Sequence, residues 1–401
     1  MHQLLLRLMR EHSYLLKAKE IISALPPNEP LRLFLKKYFR QHREMGSHDR
    51  KIASSVVYNF FRLGKTLPNL ETEQRIAIAN FLLQNETSPL LHYLLTSYSS
   101  LNAAKINLPL EEKINLVKQL YPEFAINDIF PFEKHLSEEI DKDSFFKSFL
   151  VQPLVWIRIR EGFVETILRE IKQLEVGNWP LAEKEKILSF EPSTPLDKTK
   201  SYQKGFFEIQ DVSSQQTANY FEASKDDCWW DCCAGSGGKS LLFKDKFPEV
   251  KLLVTDSREA ILQNAKERFT KAGVKNYQIK TLDLLSPNPE LPTHNSLEGI
   301  IADVPCTGSG TWARTPEMLS FFNEKQIDEY VAQQMLILKN ISPCLKPGKP
   351  LVYITCSVFK KENEDVVDYA VKHLGYRLDK KEYFTGYDKR ADTLFAARLI
   401  K

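Results

Sequence analysis

Asp231-Cys232-Cys233-Ala234-Gly235-Ser236-Gly237-Gly238-Lys239-Ser240 stands between an apolar run, residues 228–231, and a helical pattern. Glycines at such a strand-to-helix junction let the backbone approach a ligand at the helix N-terminus. Alone the signal is weak. Its spacing is neither G-x-G-x-x-G nor a P-loop, because Gly235 to Lys239 is two residues too short for the latter. A tight turn that binds nothing is the plain alternative.

Outward from this loop the chain alternates. Residues 251–255, 277–281, 299–303 and 350–354 read as strands, separated by helical patterns such as 258–272 and 324–341. Alternation of this kind predicts an α/β fold, a doubly wound Rossmann-like sheet with its ligand site at the carboxyl ends of the strands. The second strand ends in Asp256, placed to accept hydrogen bonds from both hydroxyls of a ribose, and the third in Asp283, within reach of an adenine amino group. Either acid could instead cap a helix. Taken together, a glycine loop and two successive strand-end acids are the pattern expected of an S-adenosylmethionine site. Its expected contacts are Cys233, Ala234, Gly235, Ser236, Gly237, Gly238, Lys239, Asp256, Asp283 and Asp303.

The fourth strand runs into Asp303-Val304-Pro305-Cys306-Thr307-Gly308-Ser309-Gly310, and the fifth into Thr355-Cys356-Ser357. Two thiols therefore emerge at the edge that carries the ligand site. Cys228, Cys232 and Cys344 read as small hydrophobic core residues. Six cysteines, with no C-x-x-C pair and no histidine at ligand spacing, argue against both a disulfide scaffold and a metal site.

Upstream, residues 11–130 carry apolar positions at three- and four-residue spacing, broken at Pro26-Pro27-Asn28-Glu29-Pro30, Leu67-Pro68-Asn69 and Tyr121-Pro122. This predicts a helical domain over 1–140. Between 145 and 210 the texture is mixed: a strand at 153–160, a helix at 163–174 and extended pieces at 186–190 and 205–209 predict a small α+β, RRM-like module of four strands and two helices. The catalytic domain is expected over 211–401. The net charge of +3 hides an asymmetry, since residues 1–65 carry 13 Lys+Arg against 5 Asp+Glu. Such a basic segment suits a polyanion, or is simply a solvated face. No apolar run approaches the roughly 18 residues of a membrane span, and the first residues lack a secretory signal, so a cytoplasmic, monomeric protein without membrane or metal partners is expected.

These motifs resemble the RsmB/Nop/Sun family of RNA cytosine carbon-5 methyltransferases. In that family the cofactor loop reads D-x-C-A-x-P-G-G-K, the fourth motif D-A-P-C-[ST]-G-x-G, and the sixth T-C-S followed by E-N-E, matched by Glu362-Asn363-Glu364. Residues 205–214, with Gln210-Asp211 and Ser213-Ser214, are similar to the family's G-x-x-x-x-Q-D-x-S-S. The stretches Gly46-Ser47-His48-Asp49-Arg50 and Val57-Tyr58-Asn59-Phe60-Phe61-Arg62 look like the NusB-like domain of the 16S ribosomal RNA branch. The chain departs at Ser236, where the family has proline, and at Val304, where it has alanine. Ser236 is expected to make the loop less rigid.

The resemblance implies a class I S-adenosylmethionine-dependent enzyme that methylates a single-stranded or flipped-out cytosine in RNA, ribosomal RNA being the first expectation. It assigns attack on carbon 6 to Cys356, with Lys239 as a nearby cation to favour the thiolate, and release of the adduct to Cys306. Asp303 would hold or protonate the nitrogen-3 and amine edge of the base. Trp312 and Arg314 are placed to touch the base or backbone, unless they only pack the loop. An idle RNA-binding protein would not need both thiols, Asp303 and Lys239. An exocyclic-amine methyltransferase would carry [DN]-P-P-[YFW], where this chain has Cys306, and a DNA cytosine enzyme would use the thiol after Pro305 and have no need of Cys356.

Overall fold

The computed structural model describes residues 2–27, 29–172 and 187–401. Met1, Asn28 of the first proline-rich turn, the expected helix end at 173–174 and the expected strand start at Lys186 lie outside them. The chain divides into two compact units, one of Met1–Lys134, Asp141–Gln152 and Trp312–Asn323, the other of His135–Ile140, Pro153–Thr311 and Glu324–Lys401. The 145–210 segment is thus shared between the units at Gln152 and Pro153.

The first unit is helical: α1 (His2–Ala24), α2 (Leu31–Gln41), α3 (Ser47–Arg62), α4 (Thr72–Leu83), α5 (Pro89–Tyr98), α6 (Leu110–Leu120), α7 (Lys142–Ser148) and, far downstream, α13 (Pro316–Phe321). Helix α4 is buried at every position from Ile76 to Leu82, which places it at the centre of the unit. The polar residue in that run is satisfied, Asn80 accepting from Asn59 Nδ2 at 2.9 Å and donating to the Ile76 carbonyl at 2.8 Å. A second core gathers on Phe130, whose ring lies 5.2 Å from Phe145 and 5.7 Å from Trp312.

Trp312 corrects an expectation. It is only 2% exposed and packs 4.7 Å from Phe322, so it is a core residue of the helical unit and has no face left for a base. Segment 312–323 is further tied into this unit by Arg62 Nη1, which donates to the Ala313 carbonyl at 2.6 Å, and by Glu317, which accepts from Leu31 N at 3.0 Å. Arg314 belongs to the same segment and is partly buried.

The second unit holds two sheets among the described residues. In the smaller, β1 (Val155–Ile159) pairs antiparallel with β2 (Ile187–Phe190) on one side and β3 (Phe207–Ile209) on the other. Helix α8 (Val164–Lys172) buries Ile167 and Ile171 in the same core as Ile157 and Phe207, and α9 (Lys200–Gln203) lies just before β3.

After α10 (Val212–Gln216) comes the large sheet, built from β4 (Cys228–Asp231), α11 (Gly238–Lys246), β5 (Lys251–Asp256), α12 (Glu259–Lys271), β6 (Tyr277–Thr281), β7 (Gly299–Asp303), α14 (Lys325–Ile341), β8 (Pro350–Thr355), α15 (Glu364–Leu374), β9 (Arg377–Phe384) and β10 (Leu394–Ile400). The strand order is β6-β5-β4-β7-β8-β10-β9, with β10 antiparallel to both of its neighbours. Every residue of β8 is buried, as a central strand, parallel to β7 and antiparallel to β10, must be when both faces are covered. Gly299 lies opposite Trp229, and a Cβ there would fall 2.2 Å from the indole. The order reverses between β4 and β7, and a doubly wound sheet opens a crevice at that point.

Candidate active site

A cavity of about 560 Å³ fills that crevice, a size that suits a nucleoside-sized ligand. Cys233, Ala234, Gly235, Ser236, Gly238, Lys239, Asp256, Asp283 and Asp303 all line it, and so do Cys306 and Cys356. Gly237 supports the loop from behind. Its φ is +82° and a Cβ would sit 2.7 Å from the Phe269 ring, so only glycine closes this turn onto α12. Leu282, Leu284, Leu285 and Ile337 supply apolar walls on the side of Asp283.

Asp256 is held more tightly than its sequence position suggested. Its Oδ1 accepts from Arg258 N at 3.0 Å and Nε at 2.9 Å, and its Oδ2 from Gly235 N at 2.9 Å and Arg258 Nη2 at 3.0 Å. Burial alone would raise this carboxyl, but the arginine and the backbone donors outweigh it and lower the pKa. A ribose reaching Asp256 must displace the Arg258 fork, whose side chain is 63% exposed and free of packing cost. Asp283 accepts from Leu285 N at 2.9 Å, an Asx turn that orders the chain beyond β6.

Ser236 is less loose than the substitution for proline implies. Arg268 donates to its carbonyl at 2.8 Å and to its hydroxyl at 3.0 Å. Lys239 also differs from expectation: its ammonium reaches Asp303 at 3.1 Å and Ser214 at 2.9 Å, so its ion pair is with the carboxylate at the end of β7. Only the fold brings Ser214 to that ammonium, 25 residues along the chain.

The two thiols are 3.4 Å apart. The hydrogen bond between Cys306 and Cys356, together with burial, pushes the Cys306 thiol well above its ordinary range. Glu362 fixes the spacing of the loops that carry them. This fully buried carboxylate accepts from Thr307 N at 2.9 Å and Thr307 Oγ1 at 2.6 Å on one side, and from Ser357 Oγ at 2.5 Å on the other. Gln334 braces both, donating to the Pro305 carbonyl at 2.9 Å and to Glu362 at 3.2 Å. Asn363 donates to the Ser357 carbonyl at 2.8 Å and to Tyr383 at 2.8 Å. Gly310 N donates to the Cys356 carbonyl at 2.9 Å, and a Cβ on Gly310 would stand 3.0 Å from that carbonyl and 2.1 Å from the Thr393 oxygen.

Arg258, Tyr330 and Gln334 escaped the sequence reading. Gln334 had a signal: it is a polar residue on the buried stripe of α14 shared by Ile327, Ile337, Leu338 and Ile341. Tyr330 had none, since it lines the cavity from a half-buried position. Cys232 and Cys344 are buried, whereas Cys228, also expected in the core, is only half-buried at the start of β4. No group of three or more potential metal ligands occurs among the described residues, and no described helix is long and apolar enough to cross a membrane.

A doubly wound sheet with a glycine loop, strand-end acids and a cavity at the order reversal places the chain in the Rossmann-like α/β class with a nucleoside-sized site. Its fold is similar to that of the solved protein PH0851, with a TM-score of 0.71 over 94% of this chain and 99% of that one at 17% identity. A methyltransferase homologue from Pyrococcus horikoshii aligns with a TM-score of 0.53 over 67% of this chain and 92% of its own, at 18% identity. A family profile described as 16S rRNA methyltransferase RsmB/F matches residues 218–395. The matched segment holds the glycine loop, the strand-end acids and both active-edge thiols. It is 29% identical over 178 residues to ribosomal RNA small subunit methyltransferase B of Enterobacter sp. (strain 638), 44% of this chain and 41% of that one. It is 26% identical over 264 residues to the Salmonella newport protein of the same name, 62% of this chain and 60% of that one. The chain therefore spans less than two thirds of the length of these curated relatives.

Proposed function

We propose that this protein transfers a methyl group from S-adenosylmethionine to carbon 5 of a cytosine in ribosomal RNA through a covalent adduct at carbon 6. The observation that carries the reading is the pair of thiols 3.4 Å apart beside Asp303, at the end of a cavity floored by the glycine loop. The loop 233–239, Asp256 and Asp283 would hold S-adenosylmethionine, which would supply an electrophilic methyl group. The cavity volume and its apolar wall fit a nucleoside of that size.

The roles divide as follows. Carbon 5 of cytosine is too weak a nucleophile to act unaided, so the Cys356 thiol would give up its proton toward Asp303 as its sulfur bonds to carbon 6, and the electrons of the 5,6 double bond would then let carbon 5 take the methyl group, with S-adenosylhomocysteine as the leaving group. Asp303, oriented by Lys239, accepts from the amine and carries the Cys356 thiol proton to nitrogen 3, neutralising the negative charge that the addition places there. Cys306 retains its proton while Cys356 lies beside it as hydrogen-bond partner. Once Cys356 is bonded to carbon, its hydrogen bond with Cys306 is lost, and the Cys306 thiol gives its proton to solvent to become the base. It then takes the proton from methylated carbon 5 as the carbon 6–sulfur bond breaks and the double bond returns. A base paired in a helix cannot offer carbon 6, so the substrate cytosine must be unpaired or flipped out.

A denaturing gel of each variant with substrate RNA and labelled cofactor tests the division. Cys306→Ala is expected to accumulate protein-linked RNA carrying the labelled methyl group, and Cys356→Ala to form no adduct and no product. Adduct in Cys356→Ala and none in Cys306→Ala reverses the two roles. Intact methylation in both variants removes thiol catalysis.

A further inference from the structure

We propose that Arg268, steadied by Glu208, is the positioning residue of the cofactor loop, so that the small three-stranded sheet sets cofactor affinity. The inference rests on the reading of the cavity as the S-adenosylmethionine site. Arg268 lies on α12 and donates from Nη1 to the Ser236 carbonyl at 2.8 Å and hydroxyl at 3.0 Å, while its Nη2 donates to Glu208 Oε2 at 2.8 Å. Glu208 belongs to β3, opposite Arg158 of β1, and is only 6% exposed. A guanidinium is a planar fork, so a buried carboxylate that pins one nitrogen fixes the direction in which the other donates.

Residue 236 is where such a donor has leverage. Gly235 and Gly237 on either side have φ of +53° and +82°, conformations reached because neither has a side chain. The loop is anchored at Gly235 by Asp256 of β5 and at Ser236 by Arg268 of α12. Without the second anchor, the loop keeps its turn but gains freedom at the edge of the cavity, and a ligand must then supply the ordering. The Glu208, Arg268 and Ser236 chain thus joins a strand outside the methyltransferase sheet to the loop that lines the cavity.

Calorimetric titration of the purified full chain with S-adenosylhomocysteine tests this. Arg268→Gln and Glu208→Gln are each expected to weaken binding about five- to twentyfold, and Ser236→Ala, an exposed change that removes only the hydroxyl acceptor, about threefold. Ser236→Pro in the Arg268→Gln background should recover most of the loss, because a fixed φ near −65° replaces the missing bond and Ser236 has no positive φ. Arg268→Lys should bind as weakly as Arg268→Gln, since an ammonium keeps the charge but not the fork. Thermal unfolding of each ligand-free variant within a few degrees of the parent separates loop positioning from loss of fold. If the parent chain does not bind, the reading of the cavity fails. If the parent binds and Arg268→Gln, Glu208→Gln and Ser236→Ala all match it within twofold, this inference alone fails; weakened binding that proline does not restore overturns Ser236 as the point of action.

Discussion

Asp231 closes β4 with its carboxyl sealed from solvent, Oδ2 accepting from Ser240 at 2.6 Å. Burial, aided by the negative charge of Asp303, pushes its pKa up to about 7 against the opposing help of Ser240 and Lys239. The raised value gives the sign of the pH dependence. Below about pH 4 both folded and unfolded chains hold the proton, between about 4 and 7 only the folded chain does, and above that both are ionised. Stability should therefore fall as pH rises through that window, by on the order of 4 kcal/mol, and stay level beyond it. Asp231→Asn is expected to abolish the slope and to be the more stable protein at pH 8. Urea midpoints at pH 5, 6.5 and 8 for both proteins check this, and parallel curves would reject it. At the same scale Gly310→Ala should abolish adduct formation, because a Cβ placed 2.1 Å from the Thr393 oxygen forces apart the backbone that holds Cys356. An adduct yield equal to the parent's would show that the loop gives way without moving the thiol.

Among the elements, the two strand ends that carry the thiols are separated by 50 residues and are joined by one carboxylate. Glu362 enters from the turn that follows β8 and binds both the loop after β7 and the loop after β8. Replacing it with alanine strands the Thr307, Ser357 and Gln334 donors in a buried place, at an expected cost of about 2–4 kcal/mol. Glu362→Gln keeps the shape but brings donors against donors, and should lose about half as much. The useful measurement pairs urea unfolding with the adduct gel. Loss of adduct under conditions where the variant remains folded identifies Glu362 as a positioning residue for the thiols, and a folded variant with normal adduct yield removes it from that role.

For the whole molecule the basic excess of the first 65 residues is the property with a consequence, since it lies in the helical unit. Arg40, Arg43, Arg50 and Lys51 are on or next to α2 and α3, and Arg50 also stands over the Phe39 ring at 5.8 Å. If these side chains pair with phosphates, neutralising all four should flatten the dependence of log affinity on log salt by about 0.7 for each phosphate no longer neutralised. Filter binding of ribosomal RNA fragments between 50 and 300 mM salt, roughly the range over which counterion release dominates, measures the slope. A slope unchanged by the four substitutions would confine RNA binding to other surfaces. Trp312→Ala should instead destabilise the helical unit by about 3–5 kcal/mol, because a large ring leaves a cavity in the aromatic core. A variant as stable as the parent would mean that the Phe130 cluster closes over the gap.

Which residues end the strands was legible in the chain itself, because apolar runs punctuated by glycine and aspartate are local patterns and neighbours in sequence decide them. Hence the glycine loop, Asp256, Asp283, Asp303, Cys306 and Cys356 could all be assigned to one edge from the residues alone. Strand β9 could not: most of Arg377–Phe384 is exposed, and its charged run shows no alternation to read. Partners were equally hidden. That Lys239 meets Asp303 and Ser214, that Glu362 fixes the spacing of two thiols, that Arg268 reaches Ser236 and Glu208, and that Trp312 is buried against Phe130 all depend on side chains far apart in sequence. Local periodicity places a residue on an element and a face, whereas the distance between two functional groups is set by how whole elements pack, and only the tertiary structure decides that.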